Sequence, residues 1–159
     1  KKLQYFDPEL GESYVPYVVE TSIGLDRMFL TVLSHSFCEE KLENGEGRVV
    51  LKIPAVLAPL KAAVLPLTKK DGMTEKAREI LKILQVDFNC QYEEKDSIGK
   101  RYRRQDAIGT PFCITVDHQT LEDNTITLRD RDTMKQERVS VDKLHAIIAE
   151  KVNISNYLV

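Results

Sequence analysis

The sequence lacks the features of a membrane-spanning or exported chain. No apolar run approaches the ~20 residues that a helix needs to cross a bilayer. The segment from Lys1 to Gln4 has no apolar stretch of the kind that a secretory signal peptide carries. The chain also begins without a methionine, and we therefore expect a piece of a longer protein.

Metal-binding and redox motifs are absent as well. The three cysteines (Cys38, Cys90 and Cys113) are odd in number, far apart, and never in a C-x-x-C pair, which argues against a zinc knuckle or a redox pair. We expect each of them to be a small buried apolar side chain in a reducing compartment. The three histidines share no metal-ligand spacing, so we predict no metal site.

The composition is that of an ordinary folded domain without a strong net charge. Of the 159 residues, 42% are hydrophobic and 30% are charged, which excludes intrinsic disorder. Basic residues number 23 and acidic residues 25, so the formal charge of −2 gives no basic signature of a nucleic-acid binder. The length fits one domain, or one domain with a piece of another.

The first third of the chain predicts strands that lead into a helix. Residues 3–7 and 14–19 are predicted strands, and apolar residues at helical spacing between Leu25 and Phe37 predict one helix. Residues 39–48 hold four glutamates and two glycines, which predicts a linker or domain boundary.

From residue 62 onward the predicted elements alternate. Strands are predicted at residues 62–67, 88–92, 112–116, 125–128 and 137–141, with helices after the first, second and last of them. Thr74 is the predicted N-cap of the first helix, and Gly109 is the predicted C-cap of the second. This order predicts a three-layer α/β fold with a mixed, mostly five-stranded sheet, parallel at first and antiparallel later.

Residues 20–27 lie where a predicted strand passes into a predicted helix. Gly24 lets the backbone approach a ligand, and the free N–H groups of a helix start, together with Arg27, favour a phosphate. Glu20 and Ser22 would point the same way on a strand and suit an ammonium group. The alternative from the residues alone is an ordinary strand-turn-helix with a surface glutamate and an Asp26–Arg27 pair.

This segment resembles the third signature motif of the class II aminoacyl-tRNA synthetases, in which Gly-Leu-Asp/Glu-Arg ends a strand and opens a helix. The preceding residues read VPYVVETS and are similar to the glycyl-tRNA synthetase version, which places Glu-x-Ser ahead of Gly-Leu-Asp-Arg. Blocks of that family's anticodon-binding domain resemble four further segments: LAPLKAAVLPL, SIGKRYRRQDAIGTPF, TLEDNTITLRDRDTM and KQERV. The resemblance keeps its order over nearly the whole chain.

The resemblance implies two parts and a parent enzyme. Residues 1–47 would be a strand-helix tail of the class II catalytic domain with a linker, and residues 48–159 an anticodon-binding domain. The parent would be a cytoplasmic homodimer that attaches glycine to its tRNA, with ATP and Mg²⁺ as substrate and no tightly bound cofactor. The other two class II motifs would precede residue 1, so we predict that this chain alone holds no complete catalytic site and does not aminoacylate.

The resemblance also implies roles for residues near the start of the helix. Arg27 matches an arginine that contacts the ATP phosphates, and the predicted ATP-binding residues are Gly24, Leu25, Asp26 and Arg27. Glu20 matches a glutamate that binds the amino group of glycine, with Ser22 as its companion. The predicted glycine-binding residues are Glu20, Thr21, Ser22, Ile23 and Gly24, and Thr21 stands where a proline is common in relatives.

A basic segment is the first candidate for contact with the tRNA anticodon arm. Its residues are Arg101, Tyr102, Arg103 and Arg104. On a helix, Arg103 and Arg104 share a face with Lys100, which suits phosphate contacts, and Tyr102 could stack on an unpaired base. The alternative is a solvated basic helix paired to acids such as Asp106.

A charged segment further on is the second candidate. Its residues are Arg129, Asp130, Arg131 and Asp132, and on a strand the arginines would share one side and the aspartates the other. An arginine suits phosphate or guanine, and an aspartate accepts from the amine of cytosine, of which glycine anticodons carry two. The alternative is a set of cross-strand ion pairs.

Two other functions compete with this one. A non-catalytic, synthetase-like accessory subunit, of the kind found with mitochondrial DNA polymerase, would have no reason to keep Glu20, Ser22 and Arg27. A free-standing doubly wound ligand-binding domain should carry a glycine-rich phosphate turn after residues 62–67, where the sequence has Lys69-Lys70-Asp71-Gly72 instead.

Overall fold

The computed structural model describes residues 3–42 and 45–158, and the chain divides into two compact units, residues 1–30 and residues 31–159. The first unit opens with a short antiparallel hairpin. Its strands are β1 (Tyr5–Asp7) and β2 (Glu12–Tyr14). The turn closes because the Asp7 carboxylate accepts the backbone N–H groups of Glu9 (2.9 Å) and Leu10 (3.2 Å).

The prediction of a strand over residues 14–19 is wrong. The strand β2 ends at Tyr14, and residues 15–24 form neither helix nor strand and are all exposed. Pro16 has no N–H to give to a ladder, which is consistent with the early end of the strand.

The predicted helix is confirmed as α1 (Leu25–Ser36), and a hairpin follows it without a break. The hairpin strands are β3 (Phe37–Lys41) and β4 (Gly47–Leu51), antiparallel, with Phe37 opposite Leu51. The prediction of a linker at residues 39–48 is therefore wrong for most of that stretch. Glu43 and Asn44 lie outside the described residues, and a domain boundary at residue 47 remains a prediction.

The second unit is built on a five-stranded mixed sheet, as the sequence predicts. Its elements in chain order are β5 (Ala62–Pro66), α2 (Met73–Leu84), β6 (Cys90–Tyr92), α3 (Ile98–Ile108), β7 (Phe112–Val116), α4 (His118–Asp123), β8 (Thr125–Asp130), β9 (Gln136–Ser140), α5 (Val141–Val152) and a 3₁₀ turn (Ile154–Tyr157). The strand order is β6-β5-β7-β8-β9. β5 runs parallel to both of its neighbours, and β8 and β9 are antiparallel to the strands before them.

Helices cover both faces of this sheet. On one face, α2 and α5 place Ile80, Leu84, Leu144 and Ile148 against alternate residues of the strands. On the other face α3 covers a smaller cluster, in which Ile98 and Tyr102 pack on three sheet residues: Ala63, Leu65 and Cys113. β5 is buried along its whole length because it lies between the two layers.

Helix ends agree with the sequence in part. Gly109 ends α3 in the left-handed conformation (φ 84°), as predicted, but α2 is capped by Gly72 and not by Thr74. The helix α4 was not predicted. It begins with a capping box in which Asp117 and Thr120 satisfy each other's backbone N–H groups. No helix within the described ranges is long and apolar enough to cross a membrane.

Candidate nucleic-acid interface

The helix α3 carries the basic segment, and its position divides that segment into a buried and an exposed face. Ile98 and Tyr102 anchor the helix on the sheet, so the residues one turn along the same face, Gln105 and Asp106, are buried too. Lys100 is exposed and Arg103 partly exposed. The five residues from 100 to 104 therefore have different environments.

Arg101 lies in the interior. Only 2% of its surface is exposed, and its guanidinium donates to the backbone oxygens of Pro66 (2.7 Å), Glu93 (3.3 Å) and Leu67 (3.4 Å). Burial lowers the pKa of Arg101. The side chain thus ties together the ends of β5 and β6, and it is not placed for the RNA contact that the sequence predicts.

Tyr102 is also engaged by the protein. Its hydroxyl shares a 2.6 Å hydrogen bond with the Thr115 hydroxyl, and the Arg129 guanidinium lies over its ring, 4.8 Å from the centroid. Burial raises the pKa of the Tyr102 hydroxyl. One ring face is therefore already covered by a cation, so the structure does not present this ring as a free platform for a base.

Asp106 joins the two candidate segments. Its carboxylate is wholly buried and accepts two parallel bonds from Arg129 of β8, at 2.7 and 3.0 Å. Burial alone would raise the pKa of Asp106, but the hydrogen bonds from Arg129 and Arg48 outweigh it and hold the pKa below the usual value. The Arg103 guanidinium lies 3.5 Å from the same carboxylate. Residues far apart in sequence are thereby brought to one place.

The second segment follows the predicted alternation, although the strand β8 ends at Asp130. Arg129 and Arg131 point inward and Asp132 lies outside. Arg131 donates to the backbone oxygens of Gly109 and Ile53, both at 2.8 Å, and forms a two-bond pair with Asp132.

The two aspartates differ in what they leave open. Asp130 closes the turn after β8, because its carboxylate accepts the backbone N–H and the hydroxyl of Thr133. Asp132 has half of its side chain exposed. Of the four candidates in this segment, Asp132 is the most accessible.

The Arg104 side chain is partly exposed, but its donors are already hydrogen-bonded within the protein. It donates to Glu93 (2.6 Å), Asp96 (2.9 Å) and the backbone oxygen of Lys95 (2.7 Å). The hydrogen bond with Glu93 raises the pKa of Arg104. This side chain braces the loop before α3.

A group of three lysines lies beside α3, and no pattern in the sequence indicates it. The parallel strands β5 and β6 are neighbours, so the loops that follow them meet at one edge of the sheet, and Lys69 lies 3.4 Å from Glu94 across them. Lys69, Lys70 and Lys95 are exposed there. Their separation in sequence hides this grouping, which only the pairing of β5 with β6 creates.

The residues predicted to bind glycine and ATP lie in the first unit. Residues 20–24 are exposed and irregular, so the strand geometry expected for Glu20 and Ser22 is wrong. The helix α1 begins directly after Gly24, whose backbone oxygen accepts the N–H of Met28 (3.0 Å). Leu25, Asp26 and Arg27 thus form the first turn of α1, where the positive end of the helix dipole favours an anion.

Comparison with known proteins gives a family match and close relatives. Residues 61–151, more than half of the chain, match the family described as "Anticodon binding domain". The glycine–tRNA ligases of Clostridium tetani and Chlorobaculum tepidum are 52% and 53% identical over 152 residues, covering 96% of this chain and 32% of each relative. The chain thus spans about a third of the length of these curated relatives.

A solved structure supports the fold. The RNA binding domain of threonyl-tRNA synthetase from Cryptosporidium parvum Iowa II aligns with a TM-score of 0.58 and 24% identity. The alignment covers 63% of this chain and 25% of that one.

Proposed function

This chain belongs to the anticodon-binding-domain family, and from that membership we propose that it binds the anticodon arm of a tRNA as part of a glycine–tRNA ligase. The observation that carries the proposal is the family match over residues 61–151, because it covers both candidate RNA segments. The similarity to glycine–tRNA ligases over 96% of the chain supports glycine tRNA as the partner.

The exposed charges of the second unit would have two roles in RNA binding, contact with phosphates and contact with a base. Lys100 and Arg103 on α3 would contact phosphates, together with the lysines at the adjoining sheet edge. Asp132 has an exposed carboxylate that can accept from the amine of an anticodon cytosine. The buried arginines Arg101, Arg129 and Arg131 would support this surface without touching RNA.

The first unit would contribute to the catalytic site of the parent enzyme. Glu20, Thr21, Ser22, Ile23 and Gly24 would line the glycine pocket, and Gly24, Leu25, Asp26 and Arg27 would lie along ATP. The positive end of the α1 dipole and the charge of Arg27 suit phosphate oxygens, and the Mg²⁺ that accompanies ATP would neutralise the remaining phosphate charge. We propose a cytoplasmic homodimer as the working form, and no aminoacylation by this chain alone.

The experiment is a titration of the chain with two transcripts of glycine tRNA, one unaltered and one with both anticodon cytosines replaced, at several salt concentrations. We expect tighter binding of the unaltered transcript, because base contacts add to phosphate contacts. Equal affinity for both would contradict anticodon reading within these residues and would favour a merely phosphate-directed surface.

Variants identify the surface in the same titration. Lys100→Gln and Arg103→Gln should each weaken binding of both transcripts and reduce the salt slope by ~0.7–0.9, the effect of one phosphate contact. Lys82→Gln is the matched control, because Lys82 is equally exposed but lies on α2, at the other face of the sheet. An equal loss with Lys82→Gln would show that general charge, and not the α3 surface, drives the binding.

A further inference from the structure

The hairpin of β3 and β4 lies outside the residues that match the family, yet one of its side chains reaches the interior of the second unit. Arg48 of β4 is wholly buried. Its Nη1 donates to Glu40 of β3 (2.7 Å), its Nε donates to Asp106 of α3 (2.9 Å), and its Nη2 donates to the backbone oxygen of Arg131. A single guanidinium therefore connects three elements.

The carboxylate of Asp106 makes this connection a network. It accepts from Arg48 on one side and from Arg129 on the other, so two buried cations share one anion. Arg131 adds a link back to the hairpin end by donating to the backbone oxygen of Ile53 (2.8 Å). A buried charge is tolerated only when it is paired and hydrogen-bonded, so each member depends on the others.

The two exposed RNA candidates both rest on this network. Arg103 lies 3.5 Å from the Asp106 carboxylate, and Asp132 pairs with Arg131, whose backbone oxygen binds Arg48. The buried network thus fixes the position of the α3 surface relative to the turn after β8. Arg48 itself has no exposed side-chain surface with which to touch a nucleic acid.

We propose that Arg48 is a positioning residue for RNA binding, which makes the β3–β4 hairpin a working part of the RNA-binding unit. This inference rests on the proposed function. Arg48 fixes Asp132 through Arg131, to whose backbone oxygen it donates. Arg103 does not depend on Arg48 alone, because the Asp106 carboxylate beside it keeps its two bonds from Arg129. Its loss should therefore impair the discrimination between anticodons, and it should leave the number of phosphate contacts unchanged.

The test repeats the two-transcript titration with Arg48→Gln. We expect the affinity ratio between the unaltered and altered transcripts to fall roughly fivefold or more, the range of one lost base contact. We expect the salt slope to stay the same, because no phosphate contact is removed. Arg138→Gln is the control, because Arg138 joins β9 to Asp117 (2.6 and 2.9 Å) without contacting the network and should leave the ratio unchanged.

Circular dichroism and urea unfolding establish that each variant is folded at the temperature of the titration. If Arg48→Gln is not folded, Arg48→Lys and Glu40→Gln take its place. The first keeps the charge and loses the forked geometry, and the second breaks the contact at the partly exposed end of the network. Both should reduce the affinity ratio, Glu40→Gln less than Arg48→Lys.

The possible results separate this inference from the proposed function. A reduced salt slope in Arg48→Gln would show that a phosphate contact depends on Arg48, and would overturn its specific role in positioning the base contact. A lowered stability with an unchanged affinity ratio would make the hairpin purely structural and overturn the inference alone. An unaltered chain that binds neither transcript would overturn the proposed function, and this inference with it.

Discussion

Asp106 joins buried charges from three parts of the second unit. It is a fully buried carboxylate between two buried guanidiniums, those of Arg48 and Arg129. Such a triad contributes little when complete, because the desolvation of the ions offsets their attraction, but it is costly to break. The importance of Asp106 therefore lies in what its loss would leave unpaired.

Asp106→Asn should lower the free energy of unfolding by about 3–5 kcal/mol, measured by urea titration, because it leaves the buried Arg129 without its counter-charge and Arg48 with only the partly exposed Glu40. Asp132→Asn is the control, since Asp132 also pairs with a buried arginine but is half exposed, and it should cost at most about 1 kcal/mol. Similar losses for the two variants would contradict a buried triad.

Asp106 should also make the stability of the chain depend on pH. The pKa of Asp106 is lower in the folded chain than its ordinary value, because the hydrogen bonds from Arg129 and Arg48 outweigh the effect of burial. A carboxyl group whose pKa is lower in the folded than in the unfolded chain stabilises the fold at every pH above its unfolded pKa. This contribution is lost as the pH falls through the pKa of the folded chain. Stability measured below about pH 4 should therefore decline more steeply in the unaltered chain than in Asp106→Asn.

At the scale of elements, α3 packs so closely on the end of the hairpin that the residue at position 109 has no room for a Cβ atom. A Cβ at Gly109, where α3 ends, would lie 2.9 Å from Ile53 Cγ2 and 3.1 Å from the backbone oxygen of Leu51. Gly109 is also left-handed, with φ 84°. Glycine is thus required both by the backbone conformation and by the hairpin packed against it.

A pair of glycine variants separates these two requirements. Gly72→Ala should cost about 1–2 kcal/mol, because φ is 80° but nothing lies within 4 Å of the added atom. Gly109→Ala should cost that amount and about 1–3 kcal/mol more, because Leu51 and Ile53 must move. Equal losses in urea unfolding would contradict close packing of the hairpin on α3.

Elements were predictable where periodicity is strong and internal. The helices α1 and α2 follow from apolar spacing, and the mixed sheet follows from the alternation of elements from residue 62 onward. The strand β3 lies mostly in the stretch 39–48, where four glutamates and two glycines predict a linker. In the structure β3 pairs with β4, and Arg48 and Lys52 both pair with Glu40, contacts that no local pattern reveals.

At the scale of the whole molecule, the buried thiols should report unfolding. Burial raises the pKa of Cys90 to about 11 and that of Cys113 to about 12, so both are protonated at neutral pH and unreactive. Cys38 is partly exposed. With a thiol reagent at pH 8, we expect one fast reaction and two slow ones that accelerate with urea.

The variant Cys38→Ser supplies the control for this measurement. It should abolish the fast phase and leave the slow phases unchanged. A remaining fast phase would mean that Cys90 or Cys113 is accessible in the folded chain, in conflict with their burial in the two cores.

The sequence identifies the charged segments of the candidate site but not which of their side chains are exposed. The resemblance to glycyl-tRNA synthetases, carried by several motifs in order, is confirmed by glycine–tRNA ligases that are 51–53% identical to this chain. The basic segment at 100–104 was predicted as one patch, whereas the structure buries Arg101, covers one face of the Tyr102 ring and pairs Arg104. Which charges face water depends on the partners that the sheet supplies, and these come from distant residues.

The network around Arg48 also bears on how the chain is made. During synthesis Arg48 appears 58 residues before Asp106 and 83 residues before Arg131. For that whole interval Arg48 can pair with Glu40 of its own hairpin but lacks its two interior partners, and hydration keeps the guanidinium in water because burial without them is costly. The arginine that connects the finished hairpin to the interior therefore also opposes burial of the hairpin before the sheet is complete.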